Sequence, residues 1–272
     1  MKLAPVSHPW APYNGDFETS PVRNFGEVSN ALLTAWETGI EPNPEDGTAL
    51  AIIYPTLGVA AESAPRSRRG GAHNSAARKS HALTTAQIAE LRAAERHARE
   101  IGLPFTRMTT IAWEAAGVPL DGMANATGRY IDLLKKTLAR HKCPTAVLWV
   151  HENGIKYGGH CHLLFHLPAS LADHIMRLQR GWLRRITGKP YKCGVIYSKP
   201  IGGRLGDETA NPEHHALNLA GAFGYVLKGA SIEAIERFEL DLSKPGGLVI
   251  GKRCGTSQNI GRAARKRARS TD

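Results

Sequence analysis

The chain has 272 residues, a formal net charge of +11 and a sequence pI of about 9.7. Because 42% of the residues are hydrophobic and the mean hydropathy is -0.29, the chain can bury a core, which excludes global disorder. No apolar run approaches the ~20 residues that a membrane-spanning helix needs, so we expect no membrane partner. The basic balance favours anionic partners, nucleic acid first.

The cysteine pattern predicts a reducing compartment. The four cysteines, Cys143, Cys161, Cys193 and Cys254, form no C-x-x-C pair. The first residues, MKLAPVSHPW, lack the apolar stretch of a secretory signal, so we expect free thiols and a cytoplasmic protein.

Residues 1–80 contain scattered Pro, Gly and Asn and predict little regular structure. Within them, PRSRRGGAHNSAARK (65–79) has five basic residues and no acidic one. We interpret it as a flexible basic linker or a strand-grasping arm, with Arg66, Arg68 and Arg69 as candidate DNA contacts. A solvated loop is the alternative.

The next elements alternate between helix and strand. Thr84 to Glu100 is predicted as a helix, since Thr84 and Gln87 fit a capping box. A strand is predicted at 103–113, LPFTRMTTIAW, because it is rich in β-branched and aromatic residues. An amphipathic helix follows from Ala124 to His141, and a second strand from Thr145 to Glu152.

A short glycine-rich segment, NGIKYGG, then predicts a hairpin to a third strand from His160 to Leu167. Ser170 is expected to cap a helix that ends at Thr187, before Gly188. The remaining predicted elements are a strand near 193–197, a helix from Asn211 to about Lys228, and a last strand at 246–252.

This order predicts an α+β fold, a mainly antiparallel central sheet with helices packed on one face. We divide the chain into an N-terminal extension (1–80), a central domain (81–255) and a basic C-terminal tail (256–272). Further candidate DNA contacts lie near and within this tail: Lys252, Arg253, Arg262 and Arg265.

The hairpin carries a possible metal site. Strand alternation places His160 and His162 on one face and Cys161 on the other. If the hairpin closes around residues 153–159, Glu152 lies opposite His160, within reach of both imidazoles. Two His and one carboxylate leave open coordination positions, as a catalytic metal requires. The alternative is a strand with two hydrogen-bonded structural histidines.

A second group lies in the helix after Asn211, where Tyr225 and Lys228 are three residues apart and share a helix face. A tyrosine hydroxyl is a poor nucleophile at its ordinary pKa near 10, so a nearby ammonium or metal would assist it. The alternative is an interior Tyr with a Lys at a helix C-terminus, where its charge suits the dipole.

The ordered set FTRMTTIAW, then H-C-H followed by LLFHLP, then Y-V-L-K, resembles the HUH endonuclease superfamily over about residues 103–255. The group that it resembles is the rolling-circle replication initiators of bacterial plasmids and filamentous phages. The resemblance implies an RRM-like arrangement of the sheet and a bacterial cytoplasmic protein.

The resemblance also implies roles for individual residues. His160 and His162 match the paired histidine ligands, Glu152 the third ligand, Tyr225 the nucleophile and Lys228 its helper. The implied activity is nicking and joining of single-stranded DNA at a replication origin through a 5′-phosphotyrosine, with Mg²⁺ or Mn²⁺. Host helicase and replication proteins are implied as partners; the oligomeric state is left open.

One departure concerns resolution of the covalent intermediate. No second Tyr shares the helix face of Tyr225, so a two-tyrosine mechanism is doubtful and a water with a carboxylate, or a second subunit, would be needed. Other interpretations stay open: a transposase or small relaxase with the same chemistry, a DNA-binding module that does not cleave, and a zinc site of His160, His162 and a cysteine such as Cys193.

Overall fold

The computed structural model describes residues 78–155 and 157–270. The predictions made for Arg66, Arg68 and Arg69 lie outside the described residues. The strands are β1 (Lys79–Ser80), β2 (Arg107–Ala112), β3 (Val147–Gly154), β4 (Gly158–Phe165), β5 (Ile196–Pro200), β6 (Val249–Ile250) and β7 (Cys254–Thr256). The α-helices are α1 (Thr85–Glu100), α2 (Met123–Arg140), α3 (Ala172–Thr187), α4 (Asp207–Ala210), α5 (Pro212–Leu227), α6 (Ile232–Phe238) and α7 (Arg262–Ala268). Short 3-10 helices occupy Leu120–Gly122, Ala169–Leu171 and Gln258–Ile260.

Local sequence signals set most helix ends. Thr84 and Gln87 form the predicted capping box at the start of α1. Asn211 caps α5 by accepting from the His214 amide, with Pro212 in the first turn. The prediction for α3 is wrong at its start: Ser170 lies in a 3-10 turn, and its side chain makes no cap. Gly188 ends α3 in the left-handed conformation, as predicted.

The fold is α+β, as predicted, around a five-stranded antiparallel sheet in the order β5-β2-β4-β3-β7. The predicted last strand is corrected by the structure. Among the described residues, β6 pairs with β1 alone, in a separate two-stranded sheet, and the outer strand beside β3 is β7. This short strand follows an irregular turn at Gly251 and has too few residues to show an alternating pattern.

Helices cover both faces of the sheet, whereas one face was predicted. The first face, which carries Glu152, His160 and His162, packs Leu148, Val150 and Leu164 against α1 and α5. The second face, which carries Cys161, packs Leu163 and Phe165 against α2 and α3. Amphipathic periodicity identifies the apolar side of each helix but does not specify which side of a sheet that helix covers.

Residues on both sides of 81–255 pack against the central fold. Residues 79–80 form β1, and Arg253 ties this strand to the fold through hydrogen bonds to Ser80. At the other end, residues 258–268 form helical turns, and Ile260 joins the core cluster that contains α1. Across the described part of the chain, no helix combines the length and apolar character needed to cross a membrane.

Candidate active site

The hairpin of β3 and β4 assembles a group that could hold a metal ion. Its register pairs Glu152 with His160, as predicted, and His162 follows on the same face. All three side chains are buried, and one potential ligand atom from each lies within 4.8 Å of the others. Adjacent strands therefore bring a carboxylate and two imidazoles together without help from distant sequence.

Hydrogen bonds orient both imidazole rings. His160 Nδ1–H donates to the Gly158 carbonyl at 2.8 Å, and His162 Nδ1 lies 2.8 Å from Thr110 Oγ1 on β2. Both Nε2 atoms consequently turn toward Glu152, whose Oε2 lies 3.2 Å from that of His160 and 3.5 Å from that of His162. Carbonyl and hydroxyl groups in these positions commonly fix the ring orientation of histidines that bind a metal.

The glycines before His160 have a steric function. Gly158 has φ of 58°, and a Cβ there would lie 2.0 Å from Oε2 of Glu114. The same carboxylate accepts a hydrogen bond from the Gly159 amide at 2.8 Å. A side chain at Gly158 would be strained and would displace Glu114, so the close turn that delivers His160 needs glycine.

The end of α5 brings Tyr225 and Lys228 to the same site. Lys228 Nζ donates to the Glu152 carboxylate and lies 3.0 Å from His162 Nε2. The Tyr225 ring centroid is 5.1 Å from that of His162, and Lys228 Nζ is 4.1 Å from the Tyr225 ring centroid. Side chains more than 60 residues from the hairpin in sequence thus converge on it, as the paired motifs predict.

Burial and charge shape the ionisation of the site. Burial raises the pKa of Glu152, but its contacts with His160 and His162 and the charge of Lys228 outweigh burial and hold the pKa well below its usual value. Burial, then the Lys228 charge, lowers the pKa of His162 to about 3, so this ring is neutral at physiological pH. Burial also lowers the pKa of Lys228, against the opposing effect of Glu152.

Tyr225 is half-buried and protonated at neutral pH in this arrangement. Burial, followed by the charges of Glu152 and Tyr157, raises the pKa of Tyr225 to about 12. The phenolate therefore needs added positive charge near its oxygen before it can act as a nucleophile.

The donor set fits a divalent cation. Glu152 Oε1 is buried and has no hydrogen-bond partner among the described residues. His160 donates through Nδ1, so in its neutral form Nε2 presents a lone pair to a carboxylate oxygen, which is also an acceptor. Two acceptors in contact require a shared proton or a cation, and imidazole and carboxylate together suit Mn²⁺ and other divalent ions.

The opposite side of β3 carries a histidine with a structural role. His151 Nδ1–H donates to the Lys252 carbonyl at 2.8 Å. Its Nε2 accepts from the Thr127 hydroxyl at 2.8 Å, and that hydroxyl accepts from Trp113 Nε1–H at 2.8 Å. Each polar atom of this hydrogen-bonded group therefore has a partner, and burial lowers the pKa of His151 to about 4.

The structure does not support the alternative zinc site formed by His160, His162 and a cysteine such as Cys193. Cys161 packs in the core of the second face, and Cys193 is exposed. Within 78–155 and 157–270, the group whose ligand atoms converge consists of Glu152, His160 and His162.

Three residues near the site were not identified from the sequence. Thr110 orients His162, Glu114 braces the glycines, and the Tyr157 ring lies 6.1 Å from His160, edge to face. No local signal identifies Thr110, because its contact with His162 depends on the pairing of β2 with β4. Tyr157 sits in the hairpin loop and supplies a second tyrosine that does not lie on the helix of Tyr225.

The predicted DNA contacts near the C-terminus fall into two groups. Arg253 is 1% exposed and bonds the carbonyls of Ser80, His151, Gly246 and Gly247. Arg265 is 9% exposed and donates to the Ile260 carbonyl and to Glu90. Both guanidinium groups stabilise the fold, so the prediction that they contact DNA gains no support. Arg262 is exposed, and Lys252 is half-buried with its ammonium 5.3 Å from the Trp149 ring.

Comparisons of the chain with protein-family models, curated proteins and solved structures found no significant match.

Proposed function

We propose that the protein is a metal-dependent endonuclease that nicks and rejoins single-stranded DNA through Tyr225, as in rolling-circle replication initiators of the HUH type. The observation that carries this proposal is the position of α5. It sets a tyrosine beside His162 and a lysine against Glu152, on the face where a carboxylate and two imidazoles meet.

Glu152, His160 and His162 would hold the cation, Mg²⁺ or Mn²⁺. When bound, it would polarise the scissile phosphate and neutralise charge that develops there. The buried, unpartnered Oε1 of Glu152 supports this assignment, because a buried carboxylate oxygen without a donor is unfavourable.

Tyr225 would supply the nucleophilic oxygen. Its Oη forms a bond to phosphorus while the bond from phosphorus to the 3′ oxygen breaks, which leaves a 5′-phosphotyrosine and a free 3′-OH. The reaction is balanced in protons, since the phenol loses one and the departing 3′ oxygen gains one. The conserved bond energy allows the reverse step to rejoin the strand.

Lys228 would stabilise negative charge on the tyrosine oxygen and the phosphate. Its ammonium lies 4.1 Å from the Tyr225 ring centroid and contacts Glu152 and His162. An ammonium in a buried site stabilises a neighbouring anion more strongly than it would in water.

The biological role that we propose is initiation of rolling-circle replication at an origin, in the bacterial cytoplasm, with host helicase and replication proteins as partners. A transposase or small relaxase would use the same site chemistry. The nicking reaction is common to replication initiators, transposases and relaxases. The neighbouring genes would distinguish these three roles.

The test is transfer of labelled DNA to the protein. A randomised single-stranded DNA library is incubated with Mn²⁺ and the protein is then denatured. Because the phosphotyrosine retains the fragment 3′ of the nick, a 3′-terminal label should remain on the protein and a 5′-terminal label should not. Tyr225→Phe should abolish the adduct.

Tyr157→Phe is the matched control, since it removes a phenolic hydroxyl from the same neighbourhood and should leave the adduct intact. An adduct that persists in Tyr225→Phe but disappears in Tyr157→Phe would transfer the nucleophile role to the hairpin. No adduct with any metal would refute the nicking function.

A further inference from the structure

The segment that begins in the first turn of α3 and runs past β5 is strongly basic. Residues 174–206 contain eight Lys or Arg and no Asp or Glu. By contrast, α1 mixes three Arg with three Glu. A stretch of 33 residues that is merely solvated has no need to exclude one sign of charge, so the bias points to an anionic partner.

Three of these arginines form one stripe. Arg177, Arg180 and Arg184 occupy positions i, i+3 and i+7 of α3 and are all exposed. The Arg180 guanidinium lies 5.4 Å from the ring centroid of Tyr191, in the loop after the helix. Asp173, one turn before Arg177, marks the end of the stripe.

Two adjoining cavities follow the stripe. One, of about 700 Å³, is lined by Arg180, Arg184 and Tyr191, and the other, of about 470 Å³, by Arg177, Gln179 and Arg180. The second also reaches Ile196 at the start of the edge strand β5. The α3 surface, defined here as Arg177, Arg180, Arg184, Tyr191 and the underlying Gln179, is therefore concave and basic.

Gln179 is a buried amide that lines the second of these cavities. Its side chain is 1% exposed, and neither its amide oxygen nor its nitrogen has a hydrogen-bond partner among the described residues. The side chain interacts with the buried Tyr130 hydroxyl: burial raises the pKa of Tyr130, and this contact lowers it by a smaller amount. Buried amides are rarely left unpaired, and this one lines a cavity with cationic walls.

We propose that the α3 surface is a second nucleic-acid-binding site, which takes the phosphodiester backbone of DNA. It lies with the second face of the sheet, opposite to Glu152 and Tyr225. The arginines contact phosphates and Tyr191 offers an aromatic face to a base, a combination that suits backbone-directed binding. The proposal rests on the proposed function only in taking DNA as the ligand.

The experiment measures binding of fluorescent single-stranded and duplex DNA by anisotropy, in chelator and on the Tyr225→Phe background, so that no nicking is involved. The test variant is Arg177→Gln with Arg180→Gln and Arg184→Gln. The control variant, Lys136→Gln with Arg140→Gln and Arg237→Gln, removes the same charge from exposed positions on α2 and α6. Thermal melting checks that both variants remain folded.

The test variant should lose at least about tenfold in affinity at low salt, and its slope of log affinity against log salt should fall by about 2, since each phosphate contact contributes ~0.7–0.9. Whichever DNA form loses affinity is the ligand of this surface. Equal affinity and slope for test and control variants on both DNA forms would overturn the proposal. The adduct assay is independent, so either proposal can fail while the other stands.

Discussion

The two faces of the β3–β4 hairpin both bury histidines, yet they solve the problem of buried polarity differently. On the second face, a series of hydrogen bonds matches every donor to an acceptor. It runs from Trp113 through Thr127 and His151 to the Lys252 carbonyl. On the first face, Glu152 keeps an unpartnered oxygen, and His160 presents a lone pair to a carboxylate.

This contrast gives a criterion that distinguishes a structural histidine from a candidate metal ligand. Both kinds are buried and adjacent in sequence, so burial and spacing do not separate them. The count of donors and acceptors does, because a network closed within the protein needs nothing further, while an excess of acceptors calls for a cation.

Glu152→Gln should have the greatest effect on function, because it removes both metal binding and adduct formation. The amide can donate to His160 Nε2 and removes the buried negative charge, so the protein should fold but lose the metal-dependent rise in melting temperature. For a metal at 100 times its dissociation constant, that rise corresponds to about 2.7 kcal/mol. Covalent adduct formation should be lost as well.

His151→Gln is the matched control, one residue away on the opposite face. It should lower stability in chelator while the rise produced by Mn²⁺ stays equal to that of the wild type. A full Mn²⁺ effect in Glu152→Gln would remove Glu152 from the ligand set.

The second prediction concerns Lys228→Met. Without metal, loss of the ammonium leaves the buried Glu152 charge unpaired and should lower the free energy of unfolding by about 3 kcal/mol. A divalent ion would then meet less positive charge, so the increment from Mn²⁺ should exceed that of the wild type. Urea unfolding with chelator and with Mn²⁺ measures both values, and an increment no larger than the wild type's would contradict this account.

The smallest effect is a pH dependence from the second face. The pKa of His151 is lowered from 6.5 to about 4, so below pH 6.5 the unfolded chain binds a proton that the folded His151 does not. Stability in chelator should therefore fall as the pH drops from about 6.5 toward 4, by about 2 kcal/mol at pH 5.

The pKa of His162, lowered to about 3, acts in the same direction. His151→Gln should therefore reduce the slope of stability against pH without abolishing it. An unchanged slope in urea titrations at pH 7.5 and 5 would show that His151 is not the group responsible.

Strand alternation was sufficient to predict the core of the candidate site. The parity of His160, Cys161 and His162 and the hairpin register of Glu152 depend on local geometry, which a short sequence specifies. The capping residues Thr84 and Asn211 are local in the same sense.

The features that could not be predicted from the sequence depend on contacts between distant segments. The side of the sheet that α2 and α3 cover is decided by packing of whole faces. Arg253 resembled a DNA contact because nothing near it in sequence shows that the carbonyls of Ser80, His151 and Gly246 surround it. Thr110 likewise matters only because β2 pairs with β4.

The Glu114 carboxylate contacts Gly158 and Gly159 and so stabilises the hairpin turn that positions His160. The metal-ligand part of the site is therefore held by the hairpin itself. The three candidate ligands fall within residues 152–162 and are brought together by a local hairpin, whereas Tyr225 reaches them only when α5 docks. Contacts that are short in sequence cost less chain entropy to form than those that close a long loop. Partial opening of the molecule at α5 would therefore leave a group that could still hold a metal ion, while Tyr225 would be separated from it.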